Sequence, residues 1–369
     1  MKLLRTSLLA PLLLTFGLCL ITSSGGSAPS LVAPEKDFET FWRTYKDHYA
    51  FFGLHQLDWD QVYAKFRPVV TARTTPAELE ATLIEMVKPL EDGHITIARG
   101  DKFIYKGTSR RHSYKQEFKE VQQDYWQTAY QNLQAAGFEP VRGSGPTVGK
   151  YQTLYVAKSS QNLGYLRLTR CFAELSGVMG TTRQEKQDQQ RLLGLFDAAL
   201  RELSGCRVLI LDLRGNGGGH SGKEMASRFA LSRRLTHFTA ERQPGGYEQF
   251  TPLQPYYLAP NPALTYQKPL LILTNDGTAS SAEELALALY QQPNVTTIGD
   301  ATAGMFSDMY QARLSGKISF TLSHQRYFTP DTTLLEGRGV PVKELVPYSR
   351  PDLAQHHDPV IARALALTR

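Results

Sequence analysis

The sequence predicts an α/β protein with a helical N-terminal part, and three observations carry that prediction. The apolar run Leu270-Leu271-Ile272-Leu273 breaks at Thr274-Asn275-Asp276-Gly277 and resumes as a helical pattern opening on Ser280 and Ser281. Arg207-Val208-Leu209-Ile210-Leu211-Asp212-Leu213-Arg214 repeats the arrangement, a buried-strand run that breaks into Gly215-Asn216-Gly217-Gly218-Gly219 before a second helical pattern. Ahead of both, apolar residues recur at helical spacing through Phe38, Phe41, Trp42, Tyr45, Tyr49 and Phe52, and again through Trp59, Val62, Tyr63 and Phe66. Short unbroken apolar strands are those of a sheet covered on both faces, whereas a spacing of three and four residues marks one face of a helix.

In chain order, Lys2 and Arg5 precede an apolar run from Leu8 to Ile21 and then a small polar stretch to Ala28, which is the layout of a secretory leader. The leader is assigned to residues 1–28, although Pro29 disfavours cleavage after Ala28. Cys19 is a candidate lipid anchor, but Leu18 before it is bulkier than a lipoprotein leader uses. The run is short for a membrane span and no later segment is long and apolar enough, so no transmembrane helix is expected after processing. A length of 369 residues suits one large or two medium domains. We divide the rest into an N-terminal helical domain at 29–100, a helical insert and linker at 101–150, and an α/β core at 151–369.

A third N-terminal helix starts at Thr75-Pro76-Ala77-Glu78, a capping box with proline at the first helical position, and stops at Asp92-Gly93. His94 follows at a helix-to-strand junction, with Ile95-Thr96-Ile97 as the strand. Residues 113–136 read as one long helix, and a loop rich in glycine and proline is expected from there to Gly149. Strands are predicted at Tyr151 to Ala157, Leu163 to Thr169 and Val295 to Ile298, with a hairpin from Met309 to Leu322. Helices are predicted through Leu192 to Leu203 and from Pro359 to Leu367.

Composition excludes several functions. The formal charge of +6 is modest and spread along the chain, so no nucleic-acid partner is indicated. After removal of a leader only Cys171 and Cys206 remain, each beside an apolar run; buried thiols are the default, and a single bridge stays open. The glycine loop lacks both a Gly-Lys-Ser/Thr ending and a Gly-x-Gly-x-x-Gly pattern, which disfavours nucleotide binding. Its bare backbone amides suit an oxyanion better. A serine on the first turn of a helix lies among N–H groups without intrahelical partners, which suits a nucleophile, although capping is the commoner role of such a residue.

Three motifs in order, Asp212-Leu213-Arg214-Gly215-Asn216-Gly217-Gly218, Thr278-Ala279-Ser280-Ser281-Ala282-Glu283 and Gly299-Asp300-Ala301-Thr302-Ala303-Gly304, resemble those of the tail-specific (C-terminal processing) serine peptidases. The resemblance implies a ClpP/crotonase-like β-β-α core, a peptide or protein substrate, no cofactor and no metal, and Ser280 as nucleophile. In the lysine-using branch the base follows the Thr-x-Gly segment, but here Met305 stands there and accepts no proton. Leu90-Glu91-Asp92-Gly93-His94 instead resembles the histidine segment of the tricorn-core and retinoid-binding-protein-like branch, which implies His94 as base. Glu336, ahead of Gly337-Arg338-Gly339-Val340, matches the glutamate that orients it. The oxyanion hole is expected from the N–H of Ser281 with that of Gly217 or Gly218, and His220 is a rival base. No glycine-leucine-glycine loop of a PDZ domain is found. Two other readings are weighed: a non-catalytic protein binding hydrophobic ligands on the same fold, and acyl-CoA chemistry, which export makes a poor fit.

Overall fold

The computed structural model describes residues 33–109 and 113–369. The expected leader and Cys19 lie outside the described residues. The three predicted N-terminal helices form, but the first, α1 (Ala33–His48), stops before Phe52, which opens a separate short helix α2 (Phe52–His55). The other two are α3 (Trp59–Phe66) and α4 (Pro76–Val87), and the last turn before Asp92 is 3₁₀. Asp58 caps α3 by accepting the N–H groups of Asp60 and Gln61, and Thr75 with Glu78 closes the capping box of α4. Their apolar faces meet in one core around Phe41, Tyr45, Trp59 and Met86.

That core is not confined to the N-terminal segment. Strand β1 (Thr96–Arg99), which follows His94, pairs with β2 (Lys102–Lys106) on one side. On its other side lies a strand more than two hundred residues later, so that Ile97 stands opposite Phe320 and Thr96 opposite Thr321. Ile318, Phe320 and Leu322 complete the N-terminal core. The segment at 29–100 is therefore stitched to the C-terminal half by a sheet edge, which fixes the height of His94 against the rest of the molecule.

The predicted helix at 113–136 is two helices, α5 (Ser113–Phe118) and α6 (Gln122–Ala135), joined by a 3₁₀ turn. The N-terminus of α5 is tied to Asp276, whose carboxylate accepts the N–H groups of Ser113 and Tyr114. Helix α6 docks separately on the sheet through Tyr125, Trp126 and Leu133. The loop expected between α6 and Gly149 holds a strand, β3 (Arg142–Val148), at the edge of a seven-stranded sheet. Next to it come β4 (Tyr151–Lys158), β5 (Leu163–Leu168), β6 (Val208–Asp212), β9 (Leu270–Thr274), β10 (Val295–Gly299) and β14 (Glu344–Leu345), in that spatial order. The sheet is antiparallel from β3 to β5 and parallel from β5 to β14.

Both faces of this sheet are covered, so its central strands β5, β6 and β9 are buried at every position and mostly apolar. Leu209, Leu211 and Ile272 pack against α8 (Thr182–Leu203), α9 (Gly222–Ala226) and α10 (Ser281–Tyr290), while Ile210, Leu271 and Ile298 face α6 and α12 (Pro359–Ala366). Short helices α7 (Leu175–Met179) and α11 (Arg350–Ala354) lie in the connections. Strands β11 (Met309–Arg313) and β12 (Ile318–Ser323) form the predicted hairpin, and β12 is the partner of β1. A third sheet, β13 (Gln325–Phe328) with β7 (Arg234–Glu241) and β8 (Gln254–Leu258), is not anticipated by the sequence pattern. Cys171 and Cys206 are both buried free thiols, so the bridge left open by the sequence does not form. Among the described residues no helix is long and apolar enough to cross a membrane.

Candidate active site

The turn from β9 into α10 holds Ser280 at φ 56° and ψ −128°, a conformation costly for any residue with a Cβ. Its surroundings enforce it. The Ala279 N–H donates to the Asn216 carbonyl and the Ser280 N–H to the Met305 carbonyl, both at 2.9 Å, so the turn is clamped between the glycine loop and the 302–307 segment. Gly218 sits against it so closely that a Cβ there would lie 2.7 Å from the Ser280 Cβ, which no side chain permits. The two adjacent serines have different duties. The Ser281 hydroxyl accepts the Gly222 N–H at 2.8 Å and so joins α10 to α9. Ser280 lines a cavity of about 490 Å³, and its cap is closed by backbone, through the Glu283 N–H to the Ser280 carbonyl at 2.7 Å.

Glu283 organises this turn. Its Oε1 accepts the Thr302 hydroxyl at 2.6 Å and the Gly304 N–H at 2.7 Å, and its Oε2 accepts the Met305 N–H at 2.8 Å and the Ser280 N–H at 3.0 Å. Burial pushes its carboxyl up to about 7, against the pull of these four donors. The residue pattern alone does not single it out. The spacing of three residues from Ser280 was the available signal, since that is where a capping-box glutamate stands.

Two N–H groups beside the cavity could receive an oxyanion. Ser281 opens α10, where its N–H has no intrahelical acceptor. In the glycine loop the Gly218 N–H is already given to Asn216 Oδ1 at 2.9 Å, Gly217 is exposed, and Gly219 is among the residues that line the cavity.

His94 and Glu336 are both buried, and both border the same 302–307 segment. The Phe306 N–H donates to Glu336 Oε2 at 3.0 Å, and the Met305 side chain packs so tightly over Gly93 that a Cβ there would lie 2.3 Å from it. Glu336, Asp92, Gly93 and Met305 line a separate cleft of about 130 Å³. Among the described residues no hydrogen bond joins Ser280 to His94 or His94 to Glu336, and His94 Nδ1 is buried without a partner. The residue bonded to His94 is Asp92, whose Oδ1 accepts its backbone N–H at 2.8 Å and whose Oδ2 is also unpartnered. Burial pushes the His94 imidazole below its usual value, while the Asp92 and Asp308 carboxylates pull it partway back. Burial, reinforced by the neighbouring Asp92 carboxylate, pushes Glu336 well above the usual range.

His220, the rival base, lines the Ser280 cavity, but both of its nitrogens are occupied, by Ser221 Oγ at 2.8 Å and by Asp188 Oδ2 at 2.9 Å. Asp188 itself is held by the N–H groups of Ala173 and Glu174. The cavity is polar. Lys223 pairs with Glu284 at 2.9 Å, and Tyr327, brought in by the third sheet, donates to the same carboxylate at 2.6 Å. Among the described residues no cluster of His, Cys, Asp and Glu could hold a metal ion.

Comparison with known proteins follows this geometry. A profile of peptidase family S41 matches residues 162–343, and a profile of the tricorn protease C1 domain matches residues 33–88. The carboxy-terminal processing protease CtpA of Bacillus subtilis is 27% identical over 205 residues, 55% of this chain and 39% of that protein. The carboxyl-terminal-processing protease of Synechocystis sp. is 27% identical over 194 residues, 52% of this chain and 39% of that protein. The match thus spans well under half the length of these relatives. Among solved structures, one from Parabacteroides merdae superposes with a TM-score of 0.70 at 22% identity, over 91% of this chain and 96% of that one. The tricorn protease superposes with a TM-score of 0.54 at 15% identity, over 90% of this chain and 36% of that one. These two superpositions speak to the shared fold. The profile matches take in both the core that carries Ser280 and the helices that lead to His94, and on them the chain carries a peptidase family S41 domain at residues 162–343 preceded by a tricorn C1 domain at residues 33–88.

Proposed function

We propose that this protein is an exported serine endopeptidase that cleaves peptide bonds through Ser280, His94 and Glu336 by way of an acyl-enzyme. The observation that carries the reading is the Ser280 turn: a strained backbone at a helix N-terminus, a hydroxyl facing a cavity, and backbone donors beside it. Strain of this kind is retained where it aims a side chain, and its cost of about 1–3 kcal/mol has no structural return at a simple cap. Ser280 Oγ attacks the scissile carbonyl carbon while His94 takes its proton. The oxyanion is received by the N–H groups of Ser281 and Gly219. The tetrahedral adduct collapses as His94 returns the proton to the leaving amine, and a water repeats the sequence to release the acid. Among the described residues the imidazole and the hydroxyl are not hydrogen-bonded, and contacts of this kind are commonly completed only with substrate bound. Glu336 acts in its ionised form, holding the tautomer that leaves the reactive nitrogen free.

The leader-like N-terminus supports export. The hydrophobic-ligand reading is disfavoured by the lining of the Ser280 cavity, where Lys223, Glu284, Asp308 and His220 would be poor company for an apolar guest. A fluorophosphonate probe tests the proposal, because it reports an activated serine whatever the substrate. The wild-type chain should be labelled and Ser280→Ala should not; labelling retained in Ser280→Ala overturns the assignment.

A further inference from the structure

The most unusual side chain outside this site is Arg167 on β5. It is only 3% exposed, yet among the described residues no carboxylate pairs with it. The neighbouring acid across the strand pair, Asp212, is fully taken by Arg214 and the Tyr165 hydroxyl. A guanidinium removed from water without an anion is costly, and here aromatic faces offset part of that cost. The Arg167 Cζ lies 3.2 Å from the ring centre of Trp126, 4.9 Å from that of Tyr151 and 5.2 Å from that of Tyr155. Nη1 donates to the Tyr130 hydroxyl at 2.7 Å. Nε is buried and unpartnered, so the edge of the fork formed by Nε and Nη2 makes no hydrogen bond among the described residues.

Arg167 lines a cavity of about 470 Å³ between α6 and the β3–β4 edge of the large sheet. The other walls are those aromatic rings, Lys150 and four glutamines of α6; no aspartate or glutamate lines it. A pocket with two cations, no anion, a flat aromatic lining and an unpaired guanidinium edge is complementary to one chemistry. We infer that this cavity binds a carboxylate carried on a flat or apolar body, the carboxylate lying side-on to Arg167 Nε and Nη2 and the body resting between the aromatic rings and the glutamine amides. Side-on pairing supplies two parallel charge-assisted hydrogen bonds and satisfies the orphaned Nε. The site lies on the opposite face of the sheet from α10, so it is separate from the Ser280 cavity.

Free aryl acids and chain-terminal carboxylates share this chemistry, and one titration of the full chain separates them. Tryptophan emission, in a chain carrying Trp42→Phe and Trp59→Phe so that Trp126 alone reports, is followed on addition of benzoate, benzamide, and a short peptide ending in phenylalanine as the free acid or as the amide. The expected result is a saturable response to benzoate or to the peptide acid, with the tighter of the two naming the source, and no such response to either amide. Arg167→Lys keeps the charge but loses the fork and should weaken binding at least tenfold. Because that position is buried, Gln131→Glu is the companion variant: it places a negative charge on the exposed wall, should weaken binding severalfold, and should leave Tm unchanged. No saturable response to either acid, equal responses to acids and amides, or unchanged affinity in both variants overturns the site.

Discussion

His94 enters this structure as a buried imidazole whose charged form is disfavoured by burial more than it is favoured by Asp92 and Asp308. As the proposed base for Ser280 it would work only when neutral, and a lowered pKa keeps it neutral further into acid. The acid limb of kcat/KM should therefore have its midpoint below 6.5, the ordinary value, rather than above it. Glu336 works in the opposite sense, since burial raises its carboxyl and a protonated Glu336 no longer holds the tautomer. A limb with a midpoint above 6.5 that vanishes in Glu336→Gln would assign the titration to the carboxyl instead. On one peptide substrate, His94→Ala should lose several orders of magnitude in kcat and Glu336→Gln less, because the tautomer is only partly lost. His220→Ala should be mild, since both His220 nitrogens are committed to Ser221 and Asp188. A severe His220→Ala defect beside a nearly normal His94→Ala enzyme would reverse the assignment.

The turn into α10 and the 302–307 segment behave as one element because Glu283 accepts from both. Glu283→Gln retains one oxygen and turns an amide NH₂ toward N–H donors, so two of the four hydrogen bonds are lost and two buried donors are left facing a third. Loss of even one such buried partner costs about 1–3 kcal/mol. The expected outcome is a lowered midpoint in urea unfolding by an amount corresponding to about 2 kcal/mol or more, together with weaker fluorophosphonate labelling because Ser280 and Met305 are no longer clamped. Full labelling with full stability would show that the backbone contacts to Asn216 and Met305 suffice. The helix N-terminus is accordingly read as a site whose geometry is set from outside the helix.

Across the whole molecule, the strand that leads into the glycine loop is bound to the last helix by a buried ion triad. Arg214 is fully buried; it pairs with Asp212 at 2.7 Å and with Asp358, the N-cap of α12, at 2.9 Å. Burial works against the guanidinium charge, and the two carboxylates more than reverse that effect. Arg214→Met leaves two carboxylates buried without a cation and should cost about 3–5 kcal/mol in equilibrium unfolding. The double variant Arg214→Met with Asp358→Asn should recover part of that loss, because one of the orphaned charges is removed. No recovery would mean that Asp358 stabilises the fold mainly as the cap of α12, where it accepts the N–H groups of Val360 and Ile361. The N-terminal helices are held as firmly by another route, the β1–β12 pairing, so the histidine junction and the serine turn belong to one packed body.

Local chemistry was legible from the residues alone. Unbroken apolar runs announced β6 and β9, the Thr75-Glu78 box announced α4, and a serine at a strand-to-helix turn near a glycine loop announced the site, because each depends on neighbours only a few positions away. The strand β3 was hidden in a stretch of glycine and proline, and the β7–β8–β13 sheet in short mixed-polarity segments, because edge strands take their stability from the partner rather than from their own pattern. The same limit applied within the site. That the Gly218 N–H is already spent follows from one Asn216 side chain, the role of Glu283 from four donors brought from two segments, and the close seat of Met305 from a Gly93 that has no side chain. Residue type and spacing determine which groups can do chemistry; packing between segments hundreds of residues apart determines which of their hydrogen bonds are already spent.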